Sequence, residues 1–407
     1  MLAAAVTAFL AVAAVRHGFF DLKVYYGALT WWVHDGGEIY DYLKPGTQYG
    51  FTYPPFAALV MLPMAYLPWT AAIVVSVLAS VVSTTVVIWW LVDPIARRSG
   101  WTRWFALAVA LCLAAAFEPM RETVNFGQVN TLLLFLVAVD LLRLLPAGNR
   151  WTGVGIGIAT AIKLTPGVFI VYLLVTGRWR AALTASGTAA GCRCWPARSS
   201  RTRPGILDRG VVEHRAGGRV GLRLQPVAAR VAARLDPEHP STVLWLLLVL
   251  GTLALWAWRS RAAVAAGDET TGLALTGAMM CLVSPVTWVH HLVWLLPALI
   301  LLVDNAMAAP AGRRRRVLLV AATIGYALLI SRTVWFWEKD FTGVDGFLGS
   351  NAYVWISLAL LAFLPIRRWL APGGSPVEAF GVPQLDQPDR RTPTGERHLI
   401  SRLLTVR

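Results

Sequence analysis

Apolar runs recur along the whole chain. Stretches 2–15, 104–117, 131–146, 242–257, 272–284, 286–303, 317–331 and 352–366 are built largely of Leu, Val, Ala, Ile, Phe and Trp, separated by short polar connectors. Backbone inside a bilayer must satisfy its own hydrogen bonds, so runs of this texture predict helices. Several are shorter than the roughly 20 residues that cross a bilayer comfortably, so their ends must draw in flanking polar residues or lie inside the protein. Residues 152–176 predict a broken element: a break near Pro166 makes two short helices with Lys163 at their apex, and keeps the basic "GRWRA" on the same side as the other basic loops. Residues 54–93 do not divide cleanly, and one element there is expected to be re-entrant. The first run has no basic leader and no small-residue cleavage site, so it reads as an anchor, with a start upstream to lengthen it. The expectation is an all-α polytopic integral membrane protein over residues 1–370, with about 11–13 transmembrane or re-entrant helices.

Composition agrees. Hydrophobic residues make up 57% of the chain and charged ones 14%, far from the balance of a soluble domain. The net charge of +15 would suggest nucleic acid in a soluble protein, but its distribution excludes that reading. The arginines sit in short connectors, "DPIARRSGWTR", "AGNRW", "GRWRA", "WRSRAA", "AGRRRRV" and "IRRW", which marks cytoplasmic loops. The alternate loops mix acids, amides, histidines and aromatics, so the candidate chemistry faces outward from the plasma membrane. The four cysteines offer no metal or disulfide framework. Residues 371–407, rich in Pro and mixed charge, read as a disordered cytoplasmic tail.

The outer loops supply the candidate chemistry. Asp21 follows the first span among Lys23, Tyr25 and Tyr26; it is either an interfacial charge beside an aromatic belt or a catalytic carboxylate. Tyr25, Tyr26, Trp31, Trp32, Tyr40, Tyr42, Tyr49 and Tyr53 either stack on sugar rings or lie at headgroup level. "EPMRETVNFGQVNTLL" offers Arg121, Asn125, Gln128 and Asn130, with helix capping and lipid-headgroup binding as the plainer alternatives. Lys163 lies between two apolar half-spans, where a cation needs an anionic partner. "SPVTWVHH" places His290 and His291 beside Trp288; adjacent histidines diverge on a helix, which favours one working imidazole and one packed one over a metal pair. A carboxylate to deprotonate a hydroxyl, with cations to neutralise a departing phosphate, suits transfer of a sugar from a lipid phosphate. No P-loop, dinucleotide turn or D-x-D motif is present, against a nucleotide-driven pump or a nucleotide-sugar donor.

Five blocks in order, "FFDLKVYYGA", "YDYLKPGTQYGFTYPPFAAL", "GQVNTLLLFL", "AIKLTPGVFIVYLL" and "SPVTWVHHLVWLLPAL", resemble glycosyltransferase family 87, the polyprenol-phosphate-mannose-dependent alpha-1,2-mannosyltransferases of actinobacterial envelopes, over most of residues 15–304. The resemblance implies a GT-C-type fold, a polyprenyl-phosphate mannose donor and inversion. It also implies an acceptor that is a phosphatidylinositol mannoside, lipomannan or lipoarabinomannan, with membrane lipids as the surroundings and no cofactor or metal. It maps the base onto Asp21 and an active-site histidine onto His290 or His291. Lys163 and Arg121 are then expected at the donor phosphate, and Tyr25, Gln128, Asn130 and Trp288 at the substrates. A polyprenyl-phosphate-arabinose enzyme is the near rival, and a transporter or lipid flippase the distant one.

One stretch departs from this pattern. Across residues 192–230 the apolar texture vanishes and arginine surges where an outer loop is due. Read one base later with suitable codons, "ILDRGVVEHR" becomes Y-W-T-E-V-L-W-N-T and "LQPVAAR" becomes S-N-Q-S-L-R, both like the family's loop. The expectation is a segment translated out of frame, with a basic insertion as the alternative; resequencing the gene against its relatives separates the two.

Overall fold

The computed structural model describes residues 1–13, 17–199, 231, 235, 241–284, 286–337 and 342–367. Residues 200–230 of the anomalous stretch, and the expected tail at 371–407, lie outside the described residues. Among those described the fold is helical without strands, the only pairing being an isolated bridge between Leu43 and Gly50.

The apolar runs appear as helices near the expected bounds. Those used below are α1 (Leu2–Ala13), α2 (Phe20–His34), α3 (Pro55–Met61), α4 (Trp69–Arg98), α5 (Arg103–Ala116), α6 (Glu118–Phe126), α7 (Asn130–Val139), α8 (Val154–Ile162), α9 (Val168–Val175), α10 (Trp179–Ser199), α11 (Thr242–Ala265), α12 (Glu269–Val283), α13 (Leu296–Ala308), α14 (Arg313–Ser331), α15 (Gly343–Ser350) and α16 (Ala352–Phe363). Among the described residues three segments are long and apolar enough to cross a membrane: α4, α11, and Val289–Ala308, which joins a 3-10 turn to α13. Two bent pairs raise the number to five, α5 with α6 at 70° and α15 with α16 at 60°. The first bend has a local cause. Phe117 is extended and Pro119 sits in the opening turn of α6, where its missing N–H is harmless but where it stops α5 from running on.

The ambiguous block 54–93 resolves into a short element and one long span. α3 starts at the Pro54–Pro55 pair, tightens into a 3-10 turn over Leu62–Tyr66, and gives way after Pro68 to the 30 residues of α4, about 45 Å of helix. The expected break in 152–176 is also present: Lys163 leaves α8 in an extended conformation, and a 3-10 turn at Thr165–Gly167 opens α9.

The basic connectors converge, and their arginines pair with acids at or near helix ends. Asp93 pairs with Arg97 at 2.8 Å and with Arg103; Asp304 takes Arg98 at 2.6 Å and Arg367 at 2.7 Å; Glu269 pairs with Arg178. The Arg259 guanidinium donates to the carbonyls of Ala362 and Leu364 at the end of α16. These contacts tie together the end of the bundle at which α4 finishes. The loop chemistry gathers where α4 begins.

Candidate active site

Asp21 is set in place by its own helix start and by a turn from α6. Gly18 and Phe19 both take left-handed backbone angles (φ 60° and 57°), and α2 then begins at Phe20 with Asp21 in its first turn, where the helix dipole favours a carboxylate. Phe19 N–H donates to the Asn125 carbonyl at 2.9 Å, fixing this start against the last turn of α6. That turn closes on Gly127 at φ 72°, and Gln128 N–H returns to the Thr123 carbonyl at 2.8 Å. Gly127 is required twice over: its φ suits glycine, and a Cβ there would come within 2.5 Å of Leu22 Cβ. The close approach brings Gln128 to the carboxylate.

Gln128 is the hub of a polar line. Its Nε2 donates to Asp21 Oδ2 at 2.5 Å and to Tyr25 OH at 3.1 Å, while its Oε1 accepts from Tyr53 OH at 2.8 Å and Lys163 Nζ at 3.3 Å. Tyr25 OH donates to Tyr53 OH at 3.0 Å. Lys163, at the break between α8 and α9, places Nζ 3.2 Å from Tyr53 OH, 3.1 Å from Asn130 Oδ1 and 3.1 Å from His291 Nε2. α2, the loop before α3, the α6–α7 turn, the α8 break and the 3-10 turn at Val289–Leu295 thus meet in one cluster.

The charges within it are tuned by burial. Asp21 lies on α2, outside the candidate spans, and its carboxyl is raised from 3.8 to about 6; burial drives the rise, against the Gln128 hydrogen bond and the charges of Lys163 and His17. Lys163, in the break between helices, is lowered from 10.5 to about 8, again by burial, with the Asp21 charge opposing. His291 Nδ1 accepts the Trp288 N–H at 2.9 Å, so the neutral ring carries its proton on Nε2. That proton faces the Lys163 amine, and an ammonium there would set two donors against each other. An anionic oxygen between them would satisfy both.

The remaining expected residues divide. The His290 ring packs among aromatics, 5.6 Å from Phe126 and 6.5 Å from Trp288 between ring centroids, while its carbonyl accepts from Thr123 Oγ1 and Asn130 Nδ2, both at 3.1 Å. Trp288 reaches the cluster through its backbone, by capping His291. Arg121 is not brought to Lys163. Its guanidinium donates to the Ile330 carbonyl at 3.0 Å and lies 5.0 Å over the Phe9 ring. Helix geometry explains this: Arg121 and Thr123 are about 200° apart on α6, and it is the Thr123 side that faces His290. Tyr53, expected only as one aromatic of the outer loop, proves central to the cluster. Its neighbours Pro54 and Pro55 fix the chain entering α3, but no sequence signal sets it apart from the other tyrosines of the loop.

A largely apolar groove of about 250 Å³ leads to this cluster, lined by Val60, Met61, Met64, Leu67, Val75 and Leu132 and closing on Tyr25, Gln128 and Ile162. It passes the first turns of α4, whose neighbouring face carries the exposed side chains Val74, Leu78, Val81 and Val82. Among the described residues no three His, Cys, Asp or Glu side chains are grouped to hold a metal ion.

Comparison with known proteins bears on what such a cluster serves. A polyprenol-phosphate-mannose-dependent alpha-(1-2)-phosphatidylinositol mannoside mannosyltransferase of Mycolicibacterium smegmatis is 29% identical over 384 residues, covering 84% of this chain and 83% of its own length. The Mycobacterium tuberculosis protein of the same description is 27% identical over 369 residues, covering 84% and 83%. A phosphatidylinositol pentamannoside mannosyltransferase of M. smegmatis is 29% identical over 311 residues, covering 73% and 72%. No solved structure matches. The description of glycosyltransferase family 87 matches residues 51–285, a span that takes in Tyr53, Gln128, Asn130 and Lys163 and exceeds half of the 407 residues. The chain is a membrane glycosyltransferase and belongs to glycosyltransferase family 87.

Proposed function

We propose that the enzyme moves mannose from polyprenyl-phosphate mannose to the 2-hydroxyl of a mannosylated lipid or lipoglycan at the outer face of the plasma membrane, with inversion. The observation that carries this reading is the line Asp21–Gln128–Lys163–His291, which holds a partly buried carboxylate and a pair of phosphate-suited donors on opposite sides of one amide. Asp21 takes the proton of the acceptor hydroxyl as its oxygen attacks the anomeric carbon. The bond from that carbon to the phosphate oxygen breaks with its electron pair, and polyprenyl phosphate leaves. The phosphate passes from a diester with one negative charge to a monoester with up to two, and Lys163 Nζ and His291 Nε2–H meet the charge as it grows. A carboxyl that titrates near 6 suits a general base, being ionised at neutral pH and still accepting a proton readily. Tyr25, Gln128, Asn130 and Trp288 orient the two sugars, with Tyr53 as a further partner, and His290 supports the loop through its carbonyl.

The apolar groove supports a lipid-linked donor in particular. In the donor the isoprenoid chain is one phosphate away from the reacting carbon, whereas the acyl chains of a mannosylated acceptor are several sugar rings away. A groove that closes on Gln128 therefore suits the isoprenoid. The outer-face assignment rests on the arginine-rich opposite end of the bundle, which the positive-inside rule turns to the cytoplasm. Phosphatidylinositol mannosides are the acceptors in the names of the relatives, and we extend that acceptor class, with lipomannan and lipoarabinomannan, to this enzyme.

The test is transfer by purified protein from radiolabelled polyprenyl-phosphate mannose to a panel of phosphatidylinositol mannosides, with Asp21→Asn in parallel and polyprenyl-phosphate arabinose as the alternative donor. Transfer of mannose by the wild type and none by Asp21→Asn is expected. Preference for the arabinose donor would overturn the donor assignment, and near-normal activity of Asp21→Asn would remove Asp21 as base.

A further inference from the structure

The face of α6 turned away from Lys163 carries a second set of buried charges that the transfer chemistry does not use. Glu118 is fully buried and accepts from Trp335 Nε1 at 2.8 Å and from Tyr353 OH. Arg332 lies 3.6 Å from Glu118 and 3.4 Å from Glu122. The other oxygen of Glu122 is 2.9 Å from His17 Nε2, and the His17 ring stacks on Phe126 at 4.2 Å between centroids. Residues from the segment after α14 and from α16 thus hold the carboxylates of α6, and one of those carboxylates holds His17.

His17 is four residues before Asp21. The two residues that follow it are both left-handed, and the second is Phe19 (φ 57°, ψ 45°), a conformation that a phenylalanine keeps only where its surroundings impose it. Here the imposition comes from two attachments to α6, His17 on Glu122 and Phe126, and Phe19 N–H on Asn125. Release of the first would let the turn relax and carry the start of α2 with it. We infer that His17, oriented by Glu122, is a positioning residue that holds Asp21 at its working distance from Gln128 and the acceptor. This rests on the reading of Asp21 as the base.

A positional role leaves two marks that a purely structural one does not. Misplacing the base by about 1 Å slows the chemical step by about 10- to 100-fold while leaving substrate binding nearly intact. The charge of His17 also holds the Asp21 carboxyl lower than it would otherwise lie, so its removal moves the acidic limb of the rate profile to higher pH. Asp21 faces Lys163, Gln128, Tyr25 and His17; His17 faces Glu122, with Arg332 and Glu118 behind it, and its charge also reaches His290.

The experiment compares His17→Ala, Glu122→Ala and Glu122→Gln with wild type and Asp21→Asn in the mannose-transfer assay, following kcat, the KM of each substrate and the pH profile. Expected are a kcat about 10- to 100-fold lower in His17→Ala and Glu122→Ala, KM values within about 3-fold, an acidic limb moved upward in His17→Ala, and most of the rate retained by Glu122→Gln, whose amide keeps the shape and an oxygen beside the His17 ring. Should His17→Ala not fold, His17→Gln, which keeps a donor toward Glu122, supplies the comparison with Glu122→Ala. A kcat within about 3-fold of wild type in His17→Ala overturns the inference, as does an unmoved acidic limb with Glu122→Gln as impaired as Glu122→Ala. If Asp21→Asn itself remains active, the base assignment fails and the inference falls with it; if Asp21→Asn is dead and His17→Ala is normal, the inference alone fails.

Discussion

Asp21→Asn should abolish transfer and at the same time stabilise the protein at neutral and alkaline pH. The folded carboxyl is raised from 3.8 to about 6, which at 1.36 kcal/mol per pKa unit disfavours the ionised form in the fold by up to about 3 kcal/mol. For a carboxyl raised on folding, the associated stability is fully present below the unfolded value and is lost as pH rises through the folded one. The wild type should therefore lose this contribution between about pH 4 and pH 6 and carry the full penalty above it. Asparagine is neutral throughout and can still accept the Gln128 amide. Thermal unfolding in detergent, measured at pH 4.5 and pH 8, should show the variant more stable at the higher pH and the difference much reduced at the lower. The activity profile supplies an independent reading of the same group: kcat/KM of the wild type should fall to about one tenth of its plateau one unit below the Asp21 value, near pH 5. A variant less stable than wild type at pH 8, or an acidic limb centred near 4, would refute the argument that the base is held in place against its own desolvation.

The opposite limb belongs to Lys163, which must carry its proton to meet the phosphate; with its value near 8, kcat/KM for the donor should fall as pH rises through that point, and Lys163→Met should cost about 10²- to 10³-fold in kcat, both read in the transfer assay. Gly127→Ala forces a left-handed alanine and a Cβ–Cβ approach of 2.5 Å to Leu22, so it should lower kcat by about 100-fold and reduce the melting temperature; an active, fully stable variant would contradict the close packing of α2 on the α6–α7 turn. Met64→Trp, which fills the apolar groove, should raise KM for a long-chain polyprenyl donor but not for a short-chain analogue; equal effects on both would place the isoprenoid elsewhere.

Much of the site was legible because charge and amide groups stand out in so apolar a chain. Asp21, Lys163, Gln128, Asn130 and His291 all stand out for that reason, and the break that sets Lys163 at an apex follows from Pro166 and the basic loop beyond it. Arg121 stands out for the same reason and is near Gln128 in sequence, yet on α6 its position relative to Thr123 points it at Phe9 and Ile330. Tyr53 was hidden among the aromatics of the outer loop, since nothing in a tyrosine's immediate neighbours says whether its hydroxyl meets water or a buried amide. His17, Glu118 and Glu122 were invisible as a group. Their partners Arg332, Trp335 and Tyr353 lie more than 200 residues away, and only the packing of the segment after α14 and of α16 against α6 brings them together.

The arrangement of α6 follows from what a lipid-linked sugar transfer demands of a membrane scaffold. Reacting groups must lie close enough to the hydrocarbon for the isoprenoid to enter beside them, which places a carboxylate and an amine in surroundings that disfavour both charges. Such groups hold position only if the backbone beneath them is rigid, and packing of apolar side chains alone tolerates sliding along a helix. The nine-residue α6 resists sliding because it is fastened on both faces: Thr123 ties it to the His290 carbonyl on the side of the site, while Glu118 and Glu122 tie it to Arg332, Trp335, Tyr353 and His17 on the other. On the proposed reading, directional contacts on the far face hold α6 against the start of α2, and its buried carboxylates would serve the chemistry without touching it.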